Sequence, residues 1–141
     1  MPVSGDGARH RIVRLAEVGS TNSEALRRAA MGEAGPLWIA AERQIAGRGR
    51  SGRAWDGLPG NLFATLLMSP ECAIARIGEL ALVAGLAAHD AASAALAHET
   101  PASAAGLKLK WPNDLECDGA KLAGILCESV VVAAGARVAI G

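Results

Sequence analysis

The chain has no tyrosine and a single phenylalanine, so aromatic stacking cannot build its interior and aliphatic side chains and alanine must do so. With 51% hydrophobic residues in 141, there is ample material for one core, and a domain of this size buries roughly two-thirds of the surface its unfolded chain exposes. Net charge is also absent: 14 basic residues balance 14 acidic ones. No global field draws the chain to nucleic acid or to an anionic membrane, so any recognition of a polyanion must be local. Cysteine is scarce and scattered. Cys72, Cys117 and Cys127 form no CxxC pair and their number is odd, which argues against a disulfide framework or a structural zinc site and reads as reduced core thiols in a cytoplasmic protein. His10, His89 and His98 show no ligand spacing and read as exposed or structurally satisfied. The N-terminus, MPVSGDGARHR, lacks the apolar stretch of a signal peptide, and the most apolar run, Ile77 to Ala88, reads as too short to span a bilayer. No GxxxxGK[ST] phosphate loop is present.

What is there is organised as strands, hairpins and two helices. Residues 1–11 are small and polar and read as a frayed terminus. Ile12 to Glu17 predicts a short strand. Thr21-Asn22-Ser23-Glu24 has the spacing of a capping box, so a helix is expected from about Asn22 to Met31, ended by Gly32 and Gly35-Pro36. Leu37 to Glu42 and Leu62 to Met68 read as strands. Between them, residues 43–60 are rich in Gly and Arg without apolar periodicity, which predicts a long functional loop. Cys72 to Leu96 is Ala-rich with apolar residues near helical spacing, and predicts one long helix well buried along one side. Leu107 to Trp111 alternates apolar and basic residues, as a half-exposed strand does. Pro112-Asn113-Asp114 stops it, and Asp118-Gly119 is a hairpin signal. Leu122 to Val132 reads as one strand and Arg137 to Ile140 as another. The order shows no strict βαβ alternation, which implies an α+β fold: a mixed or antiparallel sheet with helices packed on it.

Four segments carry chemistry. From Gly47 to Arg53 there are three Arg and three Gly. The glycines let backbone N–H groups approach an anion, and the arginines supply permanent charge and forked donors for phosphate or carboxylate. Such a loop repels itself when empty, so it is expected to be mobile without an anion and ordered with one. The plainer alternatives are a solvated basic loop or a short RGG-like RNA-binding segment. In Lys108-Leu109-Lys110-Trp111-Pro112-Asn113-Asp114, two lysines share a strand face that breaks at an amide and a carboxylate, although Pro-Asn-Asp is also an ordinary turn. Lys121 opens an apolar strand, either as an edge charge that discourages aggregation or as a catalytic cation. Gly19-Ser20-Thr21-Asn22 gathers hydroxyl and amide groups at a helix start, where simple N-capping is the alternative.

Taken together, GSTN (Gly19 to Asn22), QxAGRGRxGRxW (Gln44 to Trp55), KWPND (Lys110 to Asp114) and KLAGIL (Lys121 to Leu126) closely resemble the biotin protein ligase family in residues, order and approximate spacing. The resemblance covers essentially everything from Ile12 onward. It implies a catalytic domain of the class II aminoacyl-tRNA synthetase/biotin ligase type. It also implies a two-step reaction: biotin and ATP give biotinyl-5′-AMP and diphosphate, and a lysine of a biotin carboxyl carrier protein then takes the biotin. ATP with Mg²⁺ and biotin are the implied ligands. By the family pattern, Ser20, Thr21, Asn22 and Gln44 surround the biotin head. Arg48, Gly49 and Arg50 wrap its carboxylate and the adenylate phosphate. Lys121 contacts the reacting carboxylate–phosphate group, so that Arg50 and Lys121 are the catalytic pair. Arg53, Trp55, Lys110, Asn113 and Asp114 fall on the nucleotide side, with Asp114 as a candidate Mg²⁺ contact.

The sequence also departs from the family pattern. About a dozen residues precede the first strand, which leaves no room for the N-terminal helix-turn-helix of regulatory members, so no DNA binding is expected. The family continues past residue 141 with a further strand, more helix and a small C-terminal β-barrel. Residues 12–141 are therefore expected to be a C-terminally incomplete catalytic domain whose open sheet edge favours a homodimer. Two alternatives keep the fold: a lipoate or octanoate ligase or transferase, and an inactive biotin-binding fragment. The polar groups Ser20, Asn22 and Gln44 suit a ureido ring better than an octanoyl chain. Zero net charge argues against a nucleic-acid-binding protein.

Overall fold

In a computed structural model, the chain is described over residues 11–99 and 105–141; His10 and most of the terminus expected to be frayed lie outside the described residues, but Arg11, expected to be part of it, instead opens the first strand opposite Leu37 and pairs with Glu33 at 2.7 Å. The main sheet has five strands in the order β1 (Arg11–Val18), β2 (Leu37–Gln44), β3 (Phe63–Met68), β8 (Gly135–Ile140) and β7 (Cys127–Val132). β1 and β2 run parallel and are linked by α1 (Thr21–Ala30), whereas the other neighbours in this sheet are antiparallel. A second sheet of three strands, β4 (Leu107–Lys110), β5 (Asp114–Cys117) and β6 (Ala120–Gly124), is an antiparallel meander. The mixed α+β architecture is therefore as expected.

α1 presents Ala25 and Ala29 to the main sheet, where they meet Leu37, Ile39, Leu67 and Ala139 in a core of fully buried residues. Small side chains on the helix let it lie close to a strand surface made of larger aliphatics, which is how a chain poor in aromatics fills this part of its interior. The helix begins one residue earlier than the capping-box spacing predicts. Ser20 is the N-cap and accepts from the Ser23 amide at 3.4 Å. The other member of the predicted box, Glu24, instead pairs with Arg27 and Arg28, both at 2.8 Å. Hydrogen bonding from Arg27, then Arg28, holds the Glu24 carboxyl down to about 2 from its ordinary 4.5. A depressed carboxyl pKa stabilises the fold above the ordinary value, and this contribution is lost as pH falls from 4.5 toward 2. The melting temperature of a Glu24→Gln variant should accordingly lie below that of the parent at neutral pH and converge with it by about pH 2. A difference that persists unchanged in acid would show that the pairing is not the cause.

The second helical region differs from expectation. It is a 3₁₀ segment, Ile74–Glu79, followed by α2 (Leu80–Glu99), and only Gly85 is buried among its described residues. Leu82, Val83 and Leu86 are exposed. The sequence of this helix is apolar around its whole circumference, so composition does not select a buried face. Contact is made by one stripe, in which Gly85 approaches Leu109 of β4. The stretch Ile74–His98 is, by length and composition alone, long enough to cross a membrane, which corrects the expectation drawn from its shorter apolar centre. It also carries Asp90, whose side chain is 84% exposed, and a carboxylate at such a depth is costly in lipid.

Two further readings are corrected. The apolar run from Leu122 to Val132 is two strands in two sheets, broken at Ile125–Leu126. Ile125 turns in to bond Asn113, donating to its carbonyl at 2.8 Å, and Leu126 exchanges backbone bonds with Gly141 at 2.7 and 3.0 Å. The three cysteines form no disulfide but are half-buried rather than core residues, and burial pushes the Cys127 thiol up. β5 had no signal of its own. The Asp118-Gly119 turn joining it to β6 has φ of 51° and 81°, the left-handed pair that the expected hairpin requires.

Candidate active-site cleft

The C-terminal end of β2, the start of α1, the arginine loop and the β4–β6 meander converge on a cleft of about 510 Å³. Twelve of the thirteen residues singled out in the sequence line it: Ser20, Thr21, Asn22, Gln44, Arg48, Gly49, Arg50, Arg53, Trp55, Asn113, Asp114 and Lys121. The exception is Lys110. Its ammonium pairs with Glu116 at 2.7 Å, which holds it above the usual lysine range, and it lies outside this cleft beside α2 and Trp111. Alternation along β4 places Lys108 and Lys110 together, but the docking of the meander turns that face away from the cleft.

One wall is a hydrogen-bonded polar floor built on the first turn of α1. Helix starts leave N–H groups without intrahelical partners. Here the Thr21 amide donates to Gln44 Oε1 at 2.7 Å, and the Thr21 hydroxyl lies 3.0 Å from the same oxygen. The Thr65 hydroxyl lies 2.7 Å from Asn22 Oδ1 and 2.8 Å from Thr21 Oγ1. Asn22 Nδ2 donates to the Leu126 carbonyl at 3.0 Å and to Glu128 at 2.9 Å. Ser20, Thr21, Asn22 and Thr65 are all buried. Capping and site-building are thus the same act, because the groups that end the helix are held in fixed orientations at the cleft wall. Gly141 closes this corner: a Cβ there would lie 2.2 Å from Asn22 Oδ1 and 2.6 Å from Thr65 Oγ1.

The opposite wall is cationic. Among the lining residues, Arg48, Arg50, Arg53 and Lys121 face a single carboxylate, Asp114, so a chain without net charge concentrates positive charge here. The arginine loop closes on itself through an Arg48–Ala54 bridge, with Gly49 donating to Arg53 at 2.8 Å and Trp55 to Gly47 at 2.9 Å. Gly47 is required at its root, since a Cβ there would lie 2.5 Å from the Trp55 carbonyl oxygen. Lys121 Nζ sits 2.8 Å from Asp114 and 4.7 Å from the centre of the Trp55 ring, so a carboxylate and an aromatic face fix the ammonium. Asn113 donates to the Ile125 carbonyl at 2.9 Å. Arg50 and Arg53 are exposed, and their side chains have no hydrogen-bonding or ionic partner among the described residues.

Three residues of the site were not singled out from the sequence. Thr65 is a lone hydroxyl in the apolar strand Phe63–Met68, and Glu128 is a carboxylate opening the apolar strand Cys127–Val132. Thr65 is an isolated polar residue in its apolar run, and Glu128 is the one charged residue in its strand, signals that were available. Gly141 carries no local signal, because its constraint comes from side chains of α1 and β3. His89 and His98 lie outside the cleft, and no group of three or more potential metal ligands occurs among the described residues.

The model of the Biotin/lipoate A/B protein ligase family matches residues 20–141. A biotin–[acetyl-CoA-carboxylase] ligase from Paracoccus denitrificans is 44% identical over 115 residues, 82% of this chain and 45% of that protein. One from Mycobacterium tuberculosis is 40% identical over 120 residues, 81% of this chain and 42% of that protein. Among solved structures, a biotin protein ligase from Leishmania major in complex with biotinyl-5-AMP superposes with a TM-score of 0.71 at 33% identity, covering 93% of this chain and 56% of that one. The chain thus spans about half the length of the relatives it matches.

Proposed function

The chain belongs to the biotin/lipoate A/B protein ligase family, and we propose that residues 12–141 are a catalytic-domain segment of a biotin–protein ligase. The observation that carries this reading is the pairing, in one cleft, of a pre-bonded polar floor with a cationic wall. The floor of Ser20, Thr21, Asn22 and Gln44 suits the polar ureido head of biotin better than an apolar octanoyl chain, because its amide and hydroxyl groups line the cleft in fixed orientations. The wall of Arg50, Arg53 and Lys121 suits the triphosphate of ATP.

In the first step a biotin carboxylate oxygen attacks the α-phosphorus of ATP, the bond to the β-phosphate oxygen breaks, and diphosphate leaves. In the second, the amine of a carrier-protein lysine attacks the acyl carbon, loses a proton and releases AMP. No covalent enzyme intermediate is needed. The protein positions two reactants, neutralises charge and keeps water from a hydrolysable adenylate, and positioning and electrostatics can supply most of such a rate. Arg50 and Lys121 hold the carboxylate–phosphate group, while Arg53, Trp55 and Asn113 serve the nucleotide. Mg²⁺ bound to ATP neutralises phosphate charge. The cleft's one carboxylate, Asp114, fits a metal that arrives on the nucleotide and keeps several waters, and Asp114 would then release Lys121.

Incubation of the chain with Mg²⁺·ATP and, separately, biotin, lipoate or octanoate, followed by mass spectrometry, tests the reading. Biotinyl-AMP is the expected product. An adenylate from lipoate or octanoate alone would overturn the choice of acid, and none from any acid would deny this chain the first half-reaction.

A further inference from the structure

We propose that Glu128 is a positioning residue that clasps the arginine loop onto the first turn of α1, leaving Arg50 and Arg53 as the loop's anion-facing cations. From β7, the Glu128 carboxylate receives Arg48 Nε at 3.3 Å and one terminal nitrogen of Arg48 at 3.0 and 2.9 Å. The same carboxylate accepts Asn22 Nδ2 at 2.9 Å. Arg48 also donates to the Ser23 hydroxyl. One carboxylate therefore ties together the loop, the start of α1 and the edge of the main sheet.

Three observations make this more than a surface ion pair. The Arg48 and Glu128 side chains are 31% and 27% exposed, so solvent screens them less than the chain's outer pairs. From Gly47 to Trp55 the backbone hydrogen bonds, Gly49 to Arg53, Arg53 to Arg50 and Trp55 to Gly47, are internal to the loop, while its root is tied to the end of β1 by the Ile45 and Ala46 amides, which donate to the Val18 and Gly19 carbonyls at 3.0 and 2.8 Å. Among the described residues, Arg48 is the only side chain between Gly47 and Ala54 that bonds to another element. Finally, Glu128 neutralises one of three closely spaced arginines, which lowers the self-repulsion that would open the loop. The guanidinium of Arg48 is committed to Glu128, so the three arginines that look equivalent in the sequence have different work. As to biotin, the inference rests on the function proposed above: Asn22, held by Glu128 and Thr65 from either side, presents a fixed wall to the ureido ring.

The test has an arm that needs no ligand. In Glu128→Gln and in Arg48→Gln, tryptic cutting after Arg50 and Arg53 should accelerate about tenfold relative to the parent, as expected for a loop released from a part-buried ion pair. The charge-swapped double variant, Glu128→Arg with Arg48→Glu, should recover protection. By titration, biotin affinity should fall about tenfold in Glu128→Gln while ATP affinity moves less than about threefold, and Glu128→Asp should recover part of the loss. If Glu128→Gln does not fold, Arg48→Gln, altered only in the loop, decides the proteolytic arm. Unchanged cutting in the variants, or equal losses for biotin and ATP, would overturn the proposal. A parent chain that binds no biotin but shows the proteolytic pattern would refute the proposed ligand while leaving the clasp established.

Discussion

Replacing Lys121 by Ala should lower the rate of biotinyl-AMP formation roughly 10²–10³-fold, and Arg50→Ala should do the same within that range, as loss of one preorganised transition-state donor commonly does. The two residues reach the cleft from different elements, β6 and the arginine loop. Lys121 is held at 2.8 Å from Asp114 and over Trp55, so its ammonium already stands in the cleft and is available to the reacting group once Asp114 releases it. Arg50 has no competing partner among the described residues and is free to follow the ligand. Diphosphate release under single-turnover conditions reads the effect on chemistry separately from binding. A loss of less than about threefold in Lys121→Ala would remove it from the reacting centre. Lys121→Arg should not restore full activity, because a planar fork cannot replace a compact ammonium against the Trp55 face.

Leu67→Ala should destabilise the fold by about 2–5 kcal/mol, near the upper end of that range. Leu67 is fully buried among Ala25, Ala29, Leu37, Ile39 and Ala139. Three of those five neighbours are alanines, which cannot swing into a void, so the cavity persists. Urea unfolding should show a lower midpoint at an unchanged slope. Leu86→Ala is the contrast. Leu86 lies on α2 and is 59% exposed, so its loss should stay within about 0.5 kcal/mol. A large effect at Leu86 would mean that the outer face of α2 is covered in solution.

Local chemistry was legible wherever a segment's neighbours in sequence are also its neighbours in space. The helix start at GSTN, to within one residue of its cap, and the Asp118-Gly119 turn were legible, since helix caps and tight turns are decided within a few residues, whereas the expected capping box gave way to pairing of Glu24 with Arg27 and Arg28. Twelve of the thirteen site residues reached the cleft because whole motifs travel on short rigid elements. Lys110 failed because alternation tells which residues share a strand face but not what that face meets. The run from Leu122 to Val132 failed for a related reason: apolar continuity looks the same whether a chain stays in one sheet or crosses to another. In α2, apolar residues on every side left no periodicity from which to choose the buried stripe.

The sequence alone therefore carried the inventory of the site: a polar helix start, a glycine–arginine loop, an amide and carboxylate at a hairpin, and a lysine on a strand. Their partnerships came from packing. Glu128 lies 80 residues from Arg48 and 106 from Asn22, Thr65 lies 43 from Asn22, and position 141 admits only glycine because side chains from α1 and β3 fill the space a Cβ would take. Hydrogen bonds and ion pairs act over a few ångströms and are blind to separation along the chain. Which arginine is clasped and which are left for the anion is consequently a property of the assembled sheet and helix, not of the loop that bears them.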